Sequence, residues 1–231
     1  VAALEKDMQW EIESAKTKNG FVYTNLADNT VEILKYTGTE SNVTIPDKID
    51  NKVVKTLGAE SFTENETVVG VTIPAQVTNL QYGAFASCTN LKKVTFAQGS
   101  QLKKIKEETF EHCQKLEEIH IPDSVTQIEK GAFYYCRSLS KLTLGKKLEV
   151  IDNNAFEGCS SLKQIEIPDS VESIGEGAFT YCTSLEHVTI GNKLAIGLCG
   201  TGIIDVMYEL VRHHIVDTQG ILGEPWFEKG F

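Results

Sequence analysis

The residues best equipped for chemistry are six cysteines and five histidines in a chain of 231. A thiolate can act as a nucleophile, bind zinc or pair into a disulfide. Five of the cysteines are Cys88, Cys113, Cys136, Cys159 and Cys182, separated by steps of 25, 23, 23 and 23. Zinc sites need Cys-x-x-Cys or Cys combined with paired His, and these steps supply neither. His112 adjoins Cys113, but adjacent side chains diverge and no third group orients the pair. His112, His120 and His187 stand at different repeat positions, and His213-His214 lies near the C-terminus. There is no Ser-His-Asp spacing, no carboxylate pair and no complete phosphate loop. The chain therefore reads as non-enzymatic, with no catalytic residue, metal or cofactor. The five thiols are expected as buried, unpaired small hydrophobes, while Cys199 stands apart.

The elements that hold these thiols are repeats. Phe62, Phe85, Phe110, Phe133, Phe156 and Phe179 are spaced 23, 25, 23, 23 and 23 apart, and each later Phe precedes its Cys by three. Leu91, Leu116, Leu139, Leu162 and Leu185 follow each Cys by three. An alternating run comes next, as in Val94-Thr95-Phe96 and Ile165-Glu166-Ile167, which reads as a strand with its ends inward. Apolar pairs such as Val125 with Ile128 predict a second short extended segment. Gly-Ala-Phe at 83–85, 131–133 and 177–179 predicts a tight turn over a buried ring. A 23-residue period lies in the leucine-rich-repeat range, and one copy is too small to close a core. Stacked copies predict a parallel ladder with strands roughly 4.8 Å apart. Two irregularities point to loops: an insertion around 50–53, and Ala97-Gln98-Gly99-Ser100, two residues longer than its equivalents.

Composition agrees. With 41 % hydrophobic residues the chain can form a core. With 22 Lys plus Arg against 32 Asp plus Glu, its formal charge of −10 argues against nucleic acid or an anionic membrane as partner. No apolar run is long enough to span a bilayer, and residues 1–20 carry no charged-then-apolar export pattern.

The copies Ile-Pro-Asp-Ser-Val-Thr-Gln-Ile-Glu-Lys-Gly-Ala-Phe-Tyr-Tyr-Cys-Arg-Ser-Leu (121–139) and Ile-Pro-Asp-Ser-Val-Glu-Ser-Ile-Gly-Glu-Gly-Ala-Phe-Thr-Tyr-Cys-Thr-Ser-Leu (167–185) resemble the BspA-type bacterial leucine-rich repeat. The resemblance covers about residues 20–194. It implies a curved, mainly β solenoid on a secreted or surface-attached bacterial protein that binds host or matrix proteins. The expected organisation is an N-terminal β cap (1–40), a solenoid of about six coils (41–194) and a helical tail (195–231).

Both ends have their own patterns. Met8, Trp10 and Ile12 alternate with polar residues, and Phe21-Val22-Tyr23 and Val31-Glu32-Ile33-Leu34 are bounded by Asn19-Gly20 and Asp28-Asn29. These turn dipeptides predict a small antiparallel piece covering the first coil. In the tail, Ile203, Ile204, Val206, Met207, Leu210, Val211 and Ile215 fall at helical spacing, predicting a helix over about 202–216 with Thr201 as N-cap. Residues 197–223 resemble the Gly-rich turn and helix of actin-like corrinoid-activating ATPases. The phosphate hairpins and metal carboxylates of that fold have no counterpart here, so the tail reads as a structural cap.

Outward strand positions are the binding candidates: Thr95, His120, Thr143, Glu166 and Thr189, with Thr72 in the same row. Their neighbours two residues earlier include Lys93, Glu118, Lys141, Gln164 and His187. The row mixes Thr with charges of both signs and has no aromatic anchor, so an ordinary solvated β face fits it as well as a ligand surface. Tyr134, Tyr135 and Tyr181 flank the cysteines at the opposite bend, where hot-spot and packing roles are both open. The alternatives to a recognition module are a structural spacer and nucleotide binding through the tail.

Overall fold

A computed structural model describes residues 15–190 and the paired backbone of 193–194. All regular structure among the described residues is β. The expected tail helix and the Met8–Ile12 alternation lie outside them.

Most repeats contribute one longer strand and one two-residue strand. The longer strands Asn42–Thr44, Gly70–Ile73, Lys93–Phe96, Glu118–His120 and Lys141–Thr143 pair in parallel, in chain order. Gln164–Ile167 and His187–Ile190 form a separate parallel pair, joined antiparallel by Lys193–Leu194. The second row runs Lys104–Ile105, Gln127–Ile128, Val150–Ile151 and Ser173–Ile174. The earlier two-residue strand, Asn79–Leu80, pairs instead with Lys52–Leu57.

The repeated apolar residues fill the space between the rows. The rings stack as one column from Phe21 through Tyr36, Phe62 and each later Phe to Phe179, with centroids 4.8–5.4 Å apart. Tyr36 thus occupies the ring position of an extra turn, and the solenoid has about seven turns rather than six. The sequence hides this turn because Tyr replaces Phe and no Cys follows it.

The bend over the rings is held by backbone. The N–H groups of Phe62, Phe85, Phe110, Phe133 and Phe156 each donate to the carbonyl preceding the next ring, at 2.8 Å. Two left-handed residues per turn make this possible. The position two before each ring is Glu60, Gly83, Glu108, Gly131, Asn154 and Gly177, all with φ between 55° and 65°. The position two after it is Glu64, Ser87, His112, Tyr135, Gly158 and Tyr181, with φ between 54° and 75°. The Gly of Gly-Ala-Phe therefore answers a backbone demand; the copies carrying Glu there accept strain, and Asn154 meets the same demand at lower cost.

The N-terminal strands Lys16–Lys18, Phe21–Asn25 and Val31–Tyr36 are antiparallel, and the last runs parallel to Lys52–Leu57. Asn19-Gly20 turns the first hairpin with both φ angles positive, as a two-residue hairpin requires. The insertion at 50–53 is a second such hairpin, Lys48–Ile49 against Lys52–Leu57, turning at Asp50-Asn51. Asp50 ties this turn to the first hairpin, accepting from Tyr23 Oη at 2.5 Å and from Lys18 Nζ at 2.9 Å. These two bonds hold the Asp50 carboxyl below its usual range.

Candidate binding face

The thiols occupy the dry interior. Cys88, Cys113, Cys136, Cys159 and Cys182 are free and buried. Each Sγ donates to the carbonyl of the Phe one turn earlier, Cys88 to Phe62 at 3.0 Å and Cys136 to Phe110 at 3.1 Å. That carbonyl already accepts its own turn's Cys N–H from the second ring onward, for example Cys113 N–H to Phe110 at 3.2 Å. The sulfur thus uses the second lone pair and links one turn to the next. Burial pushes Cys88 and Cys182 up to about 12, and the three between them well above the ordinary value. Thiols so protonated and enclosed are poor nucleophiles and poor ligands. Among the described residues no group of His, Cys, Asp and Glu could hold a metal ion.

The longer strands carry the outward row. Thr95, His120, Thr143 and Glu166 are exposed and Thr189 is half-buried. Cα pairing puts Thr72 beside Thr95, His120 beside Thr143 and Glu166 beside Thr189. Two residues earlier, Lys93, Glu118 and Lys141 form a parallel charged column, and Gln164 pairs with His187. The structure does not bring all five candidates into one hydrogen-bonded sheet, because the ladder breaks between Thr143 and Gln164. Among the described residues, the side chains of Thr95, His120, Thr143 and Glu166 make no hydrogen bond or ion pair.

The opposite bend holds an aromatic group whose extent the sequence did not reveal. His112 stacks on Tyr135 at 5.6 Å and meets Tyr134 edge-on at 5.7 Å, while Arg137 lies 5.1 Å over the Tyr135 ring. A Cβ at Gly158 would meet that ring at 3.0 Å, so Gly158 lets Tyr135 lie flat on the next turn. His112, Tyr135 and Gly158 share the left-handed position after the ring, which stacks them in register. That signal was present as a 23-residue spacing from His112 to Tyr135, but the two residue types differ. Packing accounts for Tyr134 and Tyr135, whereas Tyr181 is 54 % exposed.

A single coil wound around stacked rings, with parallel strands on one side, defines a leucine-rich-repeat solenoid. Residues 29–129 and 99–197 match the BspA type leucine-rich repeat region, in six copies, and the chain belongs to that family. No curated protein matches the chain. Among solved structures, a leucine-rich cell surface protein from Faecalibacterium prausnitzii A2-165 is 33 % identical with a TM-score of 0.57, the match covering 75 % of this chain and 54 % of that one. The pneumococcal vaccine antigen PcpA is 28 % identical with a TM-score of 0.66, covering 77 % and 50 %. A leucine-rich repeat protein of T. pallidum, 24 % identical over 74 % of this chain and 90 % of its own, with a TM-score of 0.59, shares the fold. The chain spans about half the length of the first and second of these. The likeness of residues 197–223 to an actin-like ATPase has no counterpart among these matches.

Proposed function

We propose that this chain is a non-enzymatic recognition module of a bacterial cell surface, binding a host or matrix protein through its longer-strand face. The carrying observation is the exposed row Thr95, His120, Thr143, Glu166 and Thr189, held by the backbone ladder and largely free of structural duties. Side chains there can change without cost to the core, which suits a recognition surface on a solenoid. The surface location rests on the relatives, one of which is described as a cell surface protein and another as a vaccine antigen. The test is capture of partners from a host-matrix extract on immobilised protein, beside the double variant His120→Ala/Glu166→Ala. Wild type is expected to retain a protein that the variant holds at least about tenfold more weakly. Retention of nothing by the wild type leaves the spacer reading in its place.

A further inference from the structure

The two-residue insertion at 97–100 changes more than a loop. Along the second strand row, each coil is tied to the one before by two N–H donations. Thr78 and Gln81 donate to Lys55 and Leu57 at 3.0 and 2.9 Å, Thr126 and Glu129 to Lys103 and Ile105 at 2.9 and 2.8 Å, and Glu172 and Gly175 to Glu149 and Ile151 at 2.7 Å. The equivalents in the longer coil would be Lys103 N–H to Thr78 and Lys106 N–H to Leu80. Neither is present among the described hydrogen bonds, and strand pairing stops between Leu80 and Lys104.

A groove of about 670 Å³ opens at this break, with Asn79, Gln101, Lys103, Lys104, Lys106 and Ser124 among its lining. Lys104 lies 3.2 Å from Glu129, and Lys106 Nζ donates to Gln81 Oε1 at 2.5 Å. Lys103 is exposed and has no ion pair among the described residues. Ser124 Oγ is buried without a partner. Three lysines and no carboxylate line the groove, and only Lys104 is paired with a nearby carboxylate, Glu129, which leaves a local surplus of positive charge on a chain of charge −10. Unpaired donors in a groove lined by three lysines want acceptors from outside, and oxyanions supply several at once.

We propose that this groove is an oxyanion site, taking the sulfate, phosphate or carboxylate group of a ligand about the size of a disaccharide, a volume typical of small-ligand clefts. It is distinct from the strand face of the proposed partner surface.

Hydrogen exchange provides one test. The Lys103 and Lys106 amides exchange faster than those of Thr126 and Glu129 in the free protein, and added anion slows them by about tenfold or more. Titration at low salt with sodium sulfate, sodium phosphate, a sulfated disaccharide and a uronic-acid disaccharide provides the second. Lys103→Glu weakens binding by about tenfold or more. Deleting Gln98 and Gly99 restores the 23-residue step, joins the ladder and abolishes binding. An inorganic ion binding as tightly as the disaccharides supports the site and assigns it to the free ion, whereas tighter disaccharide binding supports it and assigns a glycan. The proposal is overturned if no probe slows these amides at about 10 mM. It is equally overturned if binding changes less than about twofold in both variants.

Discussion

At the scale of single residues, position relative to the ring column decides the consequence of a change. Phe133 is fully buried between Phe110 and Phe156, at 5.2 and 5.1 Å. Phe133→Ala is expected to cost about 3–5 kcal/mol in denaturant unfolding, because neighbouring turns cannot collapse into the void. Thr143→Lys, on the outward row, is expected to change stability by no more than about 0.5 kcal/mol. Comparable losses at both sites would refute the inward and outward assignment. The thiols add a pH dependence. Their folded pKa is raised above the unfolded 9.0, reaching about 12 at Cys88 and Cys182. The protonated thiol is the form that donates to the Phe carbonyl, so its contribution is complete below pH 9.0 and declines as pH rises toward the folded values. Between these limits each thiol lowers stability by about 1.4 kcal/mol per pH unit. Alkaline melts of the wild type and of Cys136→Ala should differ in slope by one such contribution, and equal slopes would show that Cys136 does not titrate in this way.

At the scale of elements, the bend is the demanding part of each coil. A Cβ at Gly131 would find only Glu108 Cγ at 3.7 Å and Tyr134 Cβ at 3.8 Å, which is ordinary contact. The cost of Gly131→Ala is therefore conformational, from a φ of +60°, and is expected at about 1 kcal/mol by thermal or denaturant melting. A neutral result would mean that the bend relaxes. The strands were legible in sequence because their alternation meets a buried side and a wet side, as Ile119 between Glu118 and His120 illustrates. The non-Gly bend residues were not. Glu60 and Glu108 carry no left-handed signature of their own and are held there by inter-coil hydrogen bonds, while Asn154, of a type that tolerates this region, stands in a single copy. The His112–Tyr135 stack was equally hidden, since it depends on two unlike residues falling at one backbone position.

At the scale of the molecule, stability is a sum of coils and their interfaces. Removing residues 122–144, one period, should leave a folded protein whose denaturant m-value falls by roughly one seventh, in proportion to the surface buried. Loss of cooperative unfolding would show instead that this coil cannot be spared. The family resemblance read from 121–139 and 167–185 agrees with the match over 29–129 and 99–197. The outward row was also legible as a row, since His120 and Thr143 are one period apart.

Sequence alone determined the winding: a 23-residue period of Phe, Cys and Leu admits no other way to bury those residues than against their own copies. It located the N-terminal hairpins through Asn19-Gly20 and Asp28-Asn29, and it marked both insertions. Only the tertiary structure decided what those insertions do. One becomes a hairpin locked by Asp50 to Tyr23, and the other leaves the second row unpaired beside three lysines. The reason is physical. Periodicity reports which residues share an environment, whereas an inserted residue has no counterpart in register, and its effect depends on hydrogen bonds between neighbouring coils.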